Sequence, residues 1–162
     1  MPLKRLGLGG GCHWCTEAVF QSLIGIEDVK QGWISAPPPD DTLSEAVELL
    51  FDDQVISMKD LISIHLLTHS CTSEHSLRSK YRSAVYCYCA GDAEAACDII
   101  IELQKDFSRP IITKILKAQR FLLNQEKYLN YFKNHSESAF CKTYISPKLT
   151  IIMDRFSRFS RI

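Results

Sequence analysis

Cys12 and Cys15 carry the clearest signal for chemistry in this chain. They follow a strand-like run that ends in glycines, residues 3–10, and they open an amphipathic helical pattern. This places Cys12 at or just before a helix N-terminus, where the partial positive charge and free N–H groups stabilise a thiolate. A thiol in such a position can have a pKa well below the free value of about 8.5. Cys15 lies one helical turn further on, so the spacing predicts a reactive thiol and a second thiol that can trap its oxidised form.

The composition excludes several other functions. Lys plus Arg and Asp plus Glu are both 19 among 162 residues, so the zero net charge gives no electrostatic footprint for nucleic acid or an anionic membrane. The tail arginines Arg155, Arg158 and Arg161 are expected to be solvated or frayed. No apolar run reaches the roughly 18–20 residues of a membrane span, and the N-terminus does not resemble a signal peptide. We therefore expect a cytoplasmic, monomeric protein.

The other cysteines leave one alternative open. The seven cysteines are an odd number, which argues against a fully paired disulfide framework and for reduced thiols. Three of them alternate along a predicted strand and helix as core residues would: Cys87, Cys89 and Cys97. A zinc site could draw on the ligand types found in Cys12, Cys15, His69, Cys71 and His75. Their spacing is not a recognised zinc pattern, and the glycine-rich strand end fits catalysis better.

The remaining periodicity predicts the elements that must position Cys12. Strands are predicted over residues 3–9, 26–34, 43–51, 81–90 and 110–115, and helices over 14–23, 57–66, 92–107 and 124–132. Ser57, with Asp60 three residues later, is expected to cap the second helix. The first six elements follow the split β-α-β pattern of an α+β, ferredoxin-like sandwich. We expect one domain over residues 1–150 and an irregular, coiled tail over 151–162.

Several segments resemble one enzyme family. GCHWCTEAVF at residues 11–20 resembles the Gly-Cys-Phe-Trp-(Cys/Gly)-x-Glu motif of methionine sulfoxide reductase A. In the family's order there follow EAVELLFD at residues 45–52, YRSAVY at 81–86, QEKY at 125–128 and ISPKL at 145–149. The resemblance spans roughly residues 3–149, and the family's ferredoxin-like fold agrees with the predicted element order.

The resemblance implies a mechanism and assigns residues to it. Cys12 would attack the sulfur of a methionine S-sulfoxide, free or in an oxidised protein, and become a sulfenic acid. Glu45 would protonate the sulfoxide oxygen, and its apolar neighbours predict that it lies near the core. The Tyr81 hydroxyl would help to hold that oxygen. Either Cys15 or Cys141, on a tail expected to be mobile, would form the disulfide, and thioredoxin or another dithiol would reduce it. No organic cofactor or metal is implied.

The chain also departs from the family pattern. Trp14 is kept as one wall of the methyl pocket, but His13 replaces the phenylalanine beside it, where its ring could still face the substrate or, when charged, assist the Cys12 thiolate. A shortened loop with Pro37, Pro38 and Pro39 lacks the family's second oxygen-binding tyrosine, and Ser76 replaces an aspartate. The alternative is therefore a weakened or inactive relative that senses redox state or binds methionine.

Overall fold

A computed structural model describes residues 3–74 and 77–161. Its strands are β1 (Lys4–Gly9), β2 (Ile26–Ser35), β3 (Ser44–Phe51), β4 (Ala84–Cys87), β5 (Lys114–Lys117) and β6 (Arg120–Leu123). Its α-helices are α1 (His13–Gln21), α2 (Met58–Leu67), α3 (Ala90–Leu103), α4 (Tyr131–His135) and α5 (Ser146–Arg155). In these described ranges no helix is both long and apolar enough to cross a membrane.

The described strands form one sheet in the order β5-β4-β1-β3-β2-β6. The central four, β4-β1-β3-β2, pair in antiparallel fashion and come from the chain order β1-α1-β2-β3-α2-β4. This is the predicted ferredoxin-like, α+β arrangement. The helix α3 then returns the chain so that β5 pairs parallel to β4, and β6 pairs antiparallel to β2.

The principal core lies on one face of the sheet. Alternate residues of β1 and β3 project towards the helices because successive strand side chains point to opposite faces. The fully buried members from these two strands are Leu6, Leu8, Val47, Leu49 and Phe51. They pack against apolar residues of α1 and α2, including Phe20 and Leu61. Ser57 and Asp60 form the predicted reciprocal cap of α2, which fixes where that helix begins.

The C-terminal part of the chain differs most from the sequence prediction. The strand predicted over residues 81–90 is limited to β4. The helix predicted over 124–132 is replaced by a single 3₁₀ turn (Glu126–Tyr128) and the start of α4. The expected coiled tail is wrong, because a π-helical turn (Cys141–Ile145) leads directly into α5. Pro147 in the first turn favours a helix start, since its fixed φ suits that position.

The last residues are also docked rather than frayed. Arg161 donates from Nε to the Leu23 carbonyl oxygen at 2.7 Å and from Nη2 to the Ile26 carbonyl oxygen at 2.8 Å. Phe159 is buried, and its carbonyl accepts the backbone N–H of Ile24. The tail therefore adds to the domain, and α5 runs across residue 150. The division into residues 1–150 and 151–162 stays a prediction.

Candidate active site

Cys12 lies at the junction between β1 and α1, as the sequence predicts. It is the N-cap residue of α1, and its carbonyl accepts the backbone N–H groups of Cys15 at 3.1 Å and Thr16 at 3.3 Å. Gly10 is required just before it, because a Cβ there would lie 2.3 Å from the ring of His69. The chain can thus pass close to His69, just beyond α2, and present the partly exposed Cys12 thiol at the N-terminus of α1.

The thiols of Cys12 and Cys15 form a hydrogen-bonded pair. Donation from the Cys15 S–H lowers the pKa of Cys12, and the backbone N–H groups of Trp14 and Cys15 act in the same direction. Partial burial and the carboxylate of Glu45 oppose this lowering of the Cys12 pKa. The pKa of Cys15 is raised because its proton is held in the bond to Cys12, and burial adds to that rise. The proton therefore stays on Cys15, and Cys12 is the thiol that ionises more readily.

Cys141 lies in the same apolar cluster as this pair. Cys15, Ala18, Cys141 and Ile145 are buried together, and Cys12 packs against them. The expectation of a mobile tail is wrong here, because Cys141 begins the π-helical turn and has no exposed surface. Its thiol interacts electrostatically with that of Cys15. Both predicted resolving thiols are thus near Cys12. Cys15 interacts with Cys12 and with Cys141.

Lys148 is a site residue that the sequence reasoning did not single out. Its ammonium group donates to the Thr68 carbonyl oxygen. Burial lowers the pKa of Lys148, and the Cys15 and Cys12 thiols act in the opposite direction. The residue stands within the ISPKL segment, whose match to a family signature was the available signal. Since a nearby cation stabilises an anion, Lys148 favours thiolate charge at the cysteine pair.

A cavity of about 240 Å³ opens beside the thiols. Its walls come from α1, α2, the π-helical turn and α5, and they include Cys12, Cys15, His65, Phe140, Tyr144 and Lys148. The C-terminal elements therefore contribute directly to the surroundings of the reactive thiol.

Glu45 approaches Cys12 from β3. It pairs with Trp33 of β2, while the next residue, Ala46, pairs with Gly9 at the end of β1. The side chain is buried, as its apolar neighbours predict. One carboxylate oxygen accepts the backbone N–H of His13 at 3.2 Å, and the other lies 3.7 Å from the Lys80 ammonium nitrogen. From this position the Glu45 carboxylate interacts electrostatically with Cys12.

His13 is not an exposed ring face of the pocket. It is buried, and its Nδ1 lies 2.7 Å from the Gly32 carbonyl oxygen. The ring packs edge-on against Trp33, with centroids 5.1 Å apart. Burial lowers the pKa of His13, so the ring is neutral near pH 7. This direction is opposite to the one that a charged His13 assisting the Cys12 thiolate would need, and the role of His13 stays a prediction.

Tyr81 lies near Glu45 but outside β4. The ammonium nitrogen of Lys80 is 5.0 Å from the centre of the Tyr81 ring. Lys80 thus contacts both Tyr81 and Glu45, the two residues predicted to bind the sulfoxide oxygen. Arg78, which sequence reasoning missed, donates to the carbonyl oxygens of Tyr81 and Gly10, both at 2.9 Å. It therefore ties the segment before β4 to the residues before Cys12. Ser76, expected in place of an aspartate, lies outside the described residues.

Trp14 is held in an aromatic stack. Its ring lies parallel to Tyr131, with centroids 3.9 Å apart and an interplanar angle of 3°, and its edge contacts Phe140. Glu17 supports this arrangement from α1, because its carboxylate accepts the backbone N–H groups of Asn130 at 2.9 Å and Tyr131 at 3.0 Å. Glu17 belongs to the cysteine motif, but its spacing alone did not show what it binds.

The alternative zinc ligands do not come together. Within residues 3–74 and 77–161, no three His, Cys, Asp or Glu side chains converge closely enough to hold a metal ion. Cys71 lies in the main core, and His75 is outside the described residues. The interpretation of three other cysteines as core residues holds only for Cys87, since Cys89 and Cys97 are exposed.

Known proteins share both the sequence pattern and the fold. The family model described as "Peptide methionine sulfoxide reductase" matches residues 4–158. The "Peptide methionine sulfoxide reductase MsrA" of Deinococcus radiodurans is 35% identical over 156 residues, covering 86% of this chain and 76% of its own.

Two solved structures of Mxr1 from Saccharomyces cerevisiae have similar folds, each at 21% identity. The reduced form has a TM-score of 0.78 and covers 88% of this chain and 91% of its own. Mxr1 in complex with Trx2 has a TM-score of 0.65 and covers 78% and 84%.

Proposed function

Since the chain belongs to the peptide methionine sulfoxide reductase family, we propose that it reduces methionine S-sulfoxide to methionine through Cys12. The observation that carries this proposal is the place of Cys12 at the start of α1 with Cys15 packed beside it, where the Cys15 thiol lowers the pKa of Cys12. Glu45 interacts electrostatically with Cys12, and we assign it as the proton donor that acts with this nucleophile. Both groups are needed to reduce a sulfoxide.

The first step transfers oxygen to Cys12. The thiolate attacks the sulfoxide sulfur while Glu45 gives a proton to the sulfoxide oxygen. The substrate S–O bond then breaks, and the protonated oxygen bonds to the Cys12 sulfur as the transient bond between the two sulfur atoms breaks. The thioether leaves, and Cys12 becomes a sulfenic acid. The substrate sulfur gains two electrons, and the cysteine sulfur loses two. The backbone N–H of His13 and the Lys80 ammonium group stabilise the Glu45 carboxylate that remains. In this scheme the Tyr81 hydroxyl orients the substrate oxygen, and Trp14 borders the methyl group.

Cys15 is the resolving thiol that the contacts favour. Its S–H already faces the Cys12 sulfur, so attack on the sulfenic acid forms the Cys12–Cys15 disulfide and releases water. Cys141, next to Cys15, can then exchange with that disulfide in a second step. Cys15 and Cys141 are both buried. Exchange with Cys141 would form a disulfide between Cys15 and Cys141, which lies in the C-terminal π-helical turn.

A dithiol protein completes the cycle. The structure of the yeast relative with Trx2 supports a thioredoxin as reductant, and the proposed chemistry requires no organic cofactor. Substrates would be oxidised proteins or free methionine sulfoxide. The odd number of cysteines, seven, argues against a fully paired disulfide framework, and we include a cytoplasmic setting in the proposal.

The test compares the two sulfoxide epimers. Purified protein is incubated with the S or R epimer of N-acetyl-methionine sulfoxide and dithiothreitol, and methionine formation is measured. We expect turnover of the S epimer only, abolished by Cys12→Ser and retained by Cys89→Ser, which changes an exposed thiol at the N-terminus of α3. Absence of turnover in the unmodified protein, with Cys12 still reactive towards peroxide, would instead support a redox sensor and refute the enzyme.

A single turnover without reductant identifies the resolving thiol. Peptide mapping by mass spectrometry should show the Cys12–Cys15 disulfide before any bond that includes Cys141. In Cys15→Ser we expect the sulfenic acid of Cys12 to persist long enough for trapping with dimedone. Rapid formation of a Cys12–Cys141 disulfide in that variant would assign the first resolving step to Cys141.

A further inference from the structure

The imidazole of His13 is held in one tautomer. The Gly32 carbonyl oxygen, 2.7 Å from Nδ1, can only accept a hydrogen bond, so Nδ1 carries a proton. The remaining ring nitrogen, Nε2, lies 3.5 Å from Oε1 of Glu45. Nε2 is therefore the ring nitrogen whose protonation can respond to Glu45.

Asn124 determines what Nε2 meets on its other side. The Oδ1 atom of Asn124 accepts the backbone N–H of Gln125 at 2.8 Å, and its Nδ2 donates to Oε1 of Gln31 at 2.6 Å. The side-chain amide is thus fixed with Nδ2 facing His13 Nε2 at 3.4 Å. Gln31 is itself fixed, because its own amide donates to the Tyr128 carbonyl oxygen at 3.0 Å. A donor facing Nε2 favours an Nε2 that accepts, and burial of the ring acts in the same direction.

A lone pair on Nε2 and a carboxylate at 3.5 Å repel each other unless a proton is associated with one of them. Both side chains are buried, so water screens this repulsion poorly. We propose that His13 and Glu45 hold one transferable proton between them, and that His13 is a positioning residue which keeps this proton available to Glu45 for the sulfoxide oxygen. This inference rests on the proposed reductase function.

The proton balance of the pair is simple. Glu45 gives its proton to the substrate oxygen, and that proton leaves with the water released when the sulfenic acid is resolved. The pair then takes up one proton from solvent. No oxidant or reductant is added to the cycle by this step. A phenylalanine at position 13, as in the family motif, could not accept a proton, so this device belongs to the present chain.

Other groups face the pair and must enter any pH dependence. Lys80, from the segment before β4, approaches Glu45 at 3.7 Å and lowers the pKa of His13. Cys12 precedes His13 in the chain, and Glu45 raises the pKa of the Cys12 thiol. The β2 and β6 sides contribute the Gly32 carbonyl and the amides of Gln31 and Asn124, which are neutral. Among the charged groups that face the ring, the Glu45 carboxylate raises the pKa of His13, and the Lys80 ammonium group lowers it.

The direct test follows His13 by NMR without using activity. Full-length protein with ¹⁵N-labelled histidines is titrated, and the His13 signals are assigned from their loss in His13→Asn. In Glu45→Gln we expect the titration midpoint of His13 to fall by about one pH unit, because the imidazolium loses its anionic partner. Glu48→Gln is the matched control, since Glu48 lies on the same strand and contacts Arg5 and Tyr88 instead. An unchanged His13 midpoint in Glu45→Gln would overturn the inference.

The kinetic test separates this inference from the proposed function. His13→Asn can keep an N–H donor to Gly32 but has no titratable nitrogen near Glu45. We expect the alkaline limb of its kcat/KM profile to move about one unit to lower pH, which is about a tenfold loss on that limb. Active wild-type protein whose profile is unchanged in His13→Asn overturns the inference and leaves the reductase function intact. A wild-type protein without turnover overturns the function, whatever the NMR titration shows.

Discussion

Replacing Cys15 separates its two contributions to Cys12, hydrogen-bond donation and disulfide formation. Cys15→Ala removes the donor that most strongly lowers the pKa of Cys12, while the backbone N–H groups of Trp14 and Cys15 remain. A hydrogen bond to a charged group contributes about 1.5–3 kcal/mol, and the lower end applies because an S–H is a weak donor. Since one pKa unit corresponds to 1.36 kcal/mol, we expect the Cys12 pKa to rise by about one unit.

The assay measures alkylation of Cys12 by iodoacetamide as a function of pH. Exposed Cys89 and Cys97 are replaced by serine in every variant, so that the label reports on the site. Below the pKa of both proteins, Cys15→Ala should react about tenfold more slowly than its parent, and the two should converge at high pH. Mass spectrometry of the labelled peptide confirms that Cys12 is the residue measured.

Cys15→Ser is the matched control because a hydroxyl can still donate to the Cys12 sulfur. It also lacks the resolving thiol, so it separates the two contributions of Cys15. We expect its alkylation profile to stay near that of the parent protein. If Cys15→Ala and Cys15→Ser give the same profile as the parent, hydrogen-bond donation from Cys15 does not set the pKa of Cys12.

Three further predictions concern stability. Gly10→Ala should lower the free energy of unfolding by about 1–3 kcal/mol in urea titrations, because its Cβ would overlap the His69 ring; an unchanged midpoint would contradict the close contact. Burial lowers the pKa of His69 to about 4, so the unfolded chain binds more protons and stability should fall as pH decreases from about 6.5 towards 4; His69→Gln should flatten this dependence by up to about 1.4 kcal/mol per pH unit. Tyr131→Ala should destabilise the fold by about 3 kcal/mol through loss of the Trp14 stack, whereas Tyr131→Leu should lose less, and equal unfolding midpoints for the two would contradict a specific contribution from the stacked rings.

The N-terminal half of the fold is readable from the sequence because local signals and tertiary packing agree there. Alternation predicts β1 and β3, and Ser57 with Asp60 predicts the start of α2. The C-terminal half depends more on long-range contacts. The strand β6 has only four residues, and its place is set by pairing with β2. A pairing of this kind leaves little trace in local periodicity.

The candidate site divides in the same way. The position of Cys12 follows from the glycine-rich strand end and the helix that begins at His13. The orientation of the His13 ring could not be predicted, since it depends on a carbonyl of β2 and on Asn124, more than a hundred residues away. Lys148 reaches the thiols only because α5 folds back over α1, a packing that the expected coil does not provide.

Burial of Cys141 and Cys15 has a consequence for how fast the oxidised protein can be reduced. Cys141 has no exposed surface, and Cys15 has 7%. Phe140 and Tyr144 stand in the wall beside them, so a protein reductant cannot reach a disulfide of these thiols until this wall moves. The rate of recycling should therefore level off as reductant concentration increases, at a value set by the opening of the C-terminal segment. A small dithiol that enters the cavity should show a higher plateau than a protein dithiol.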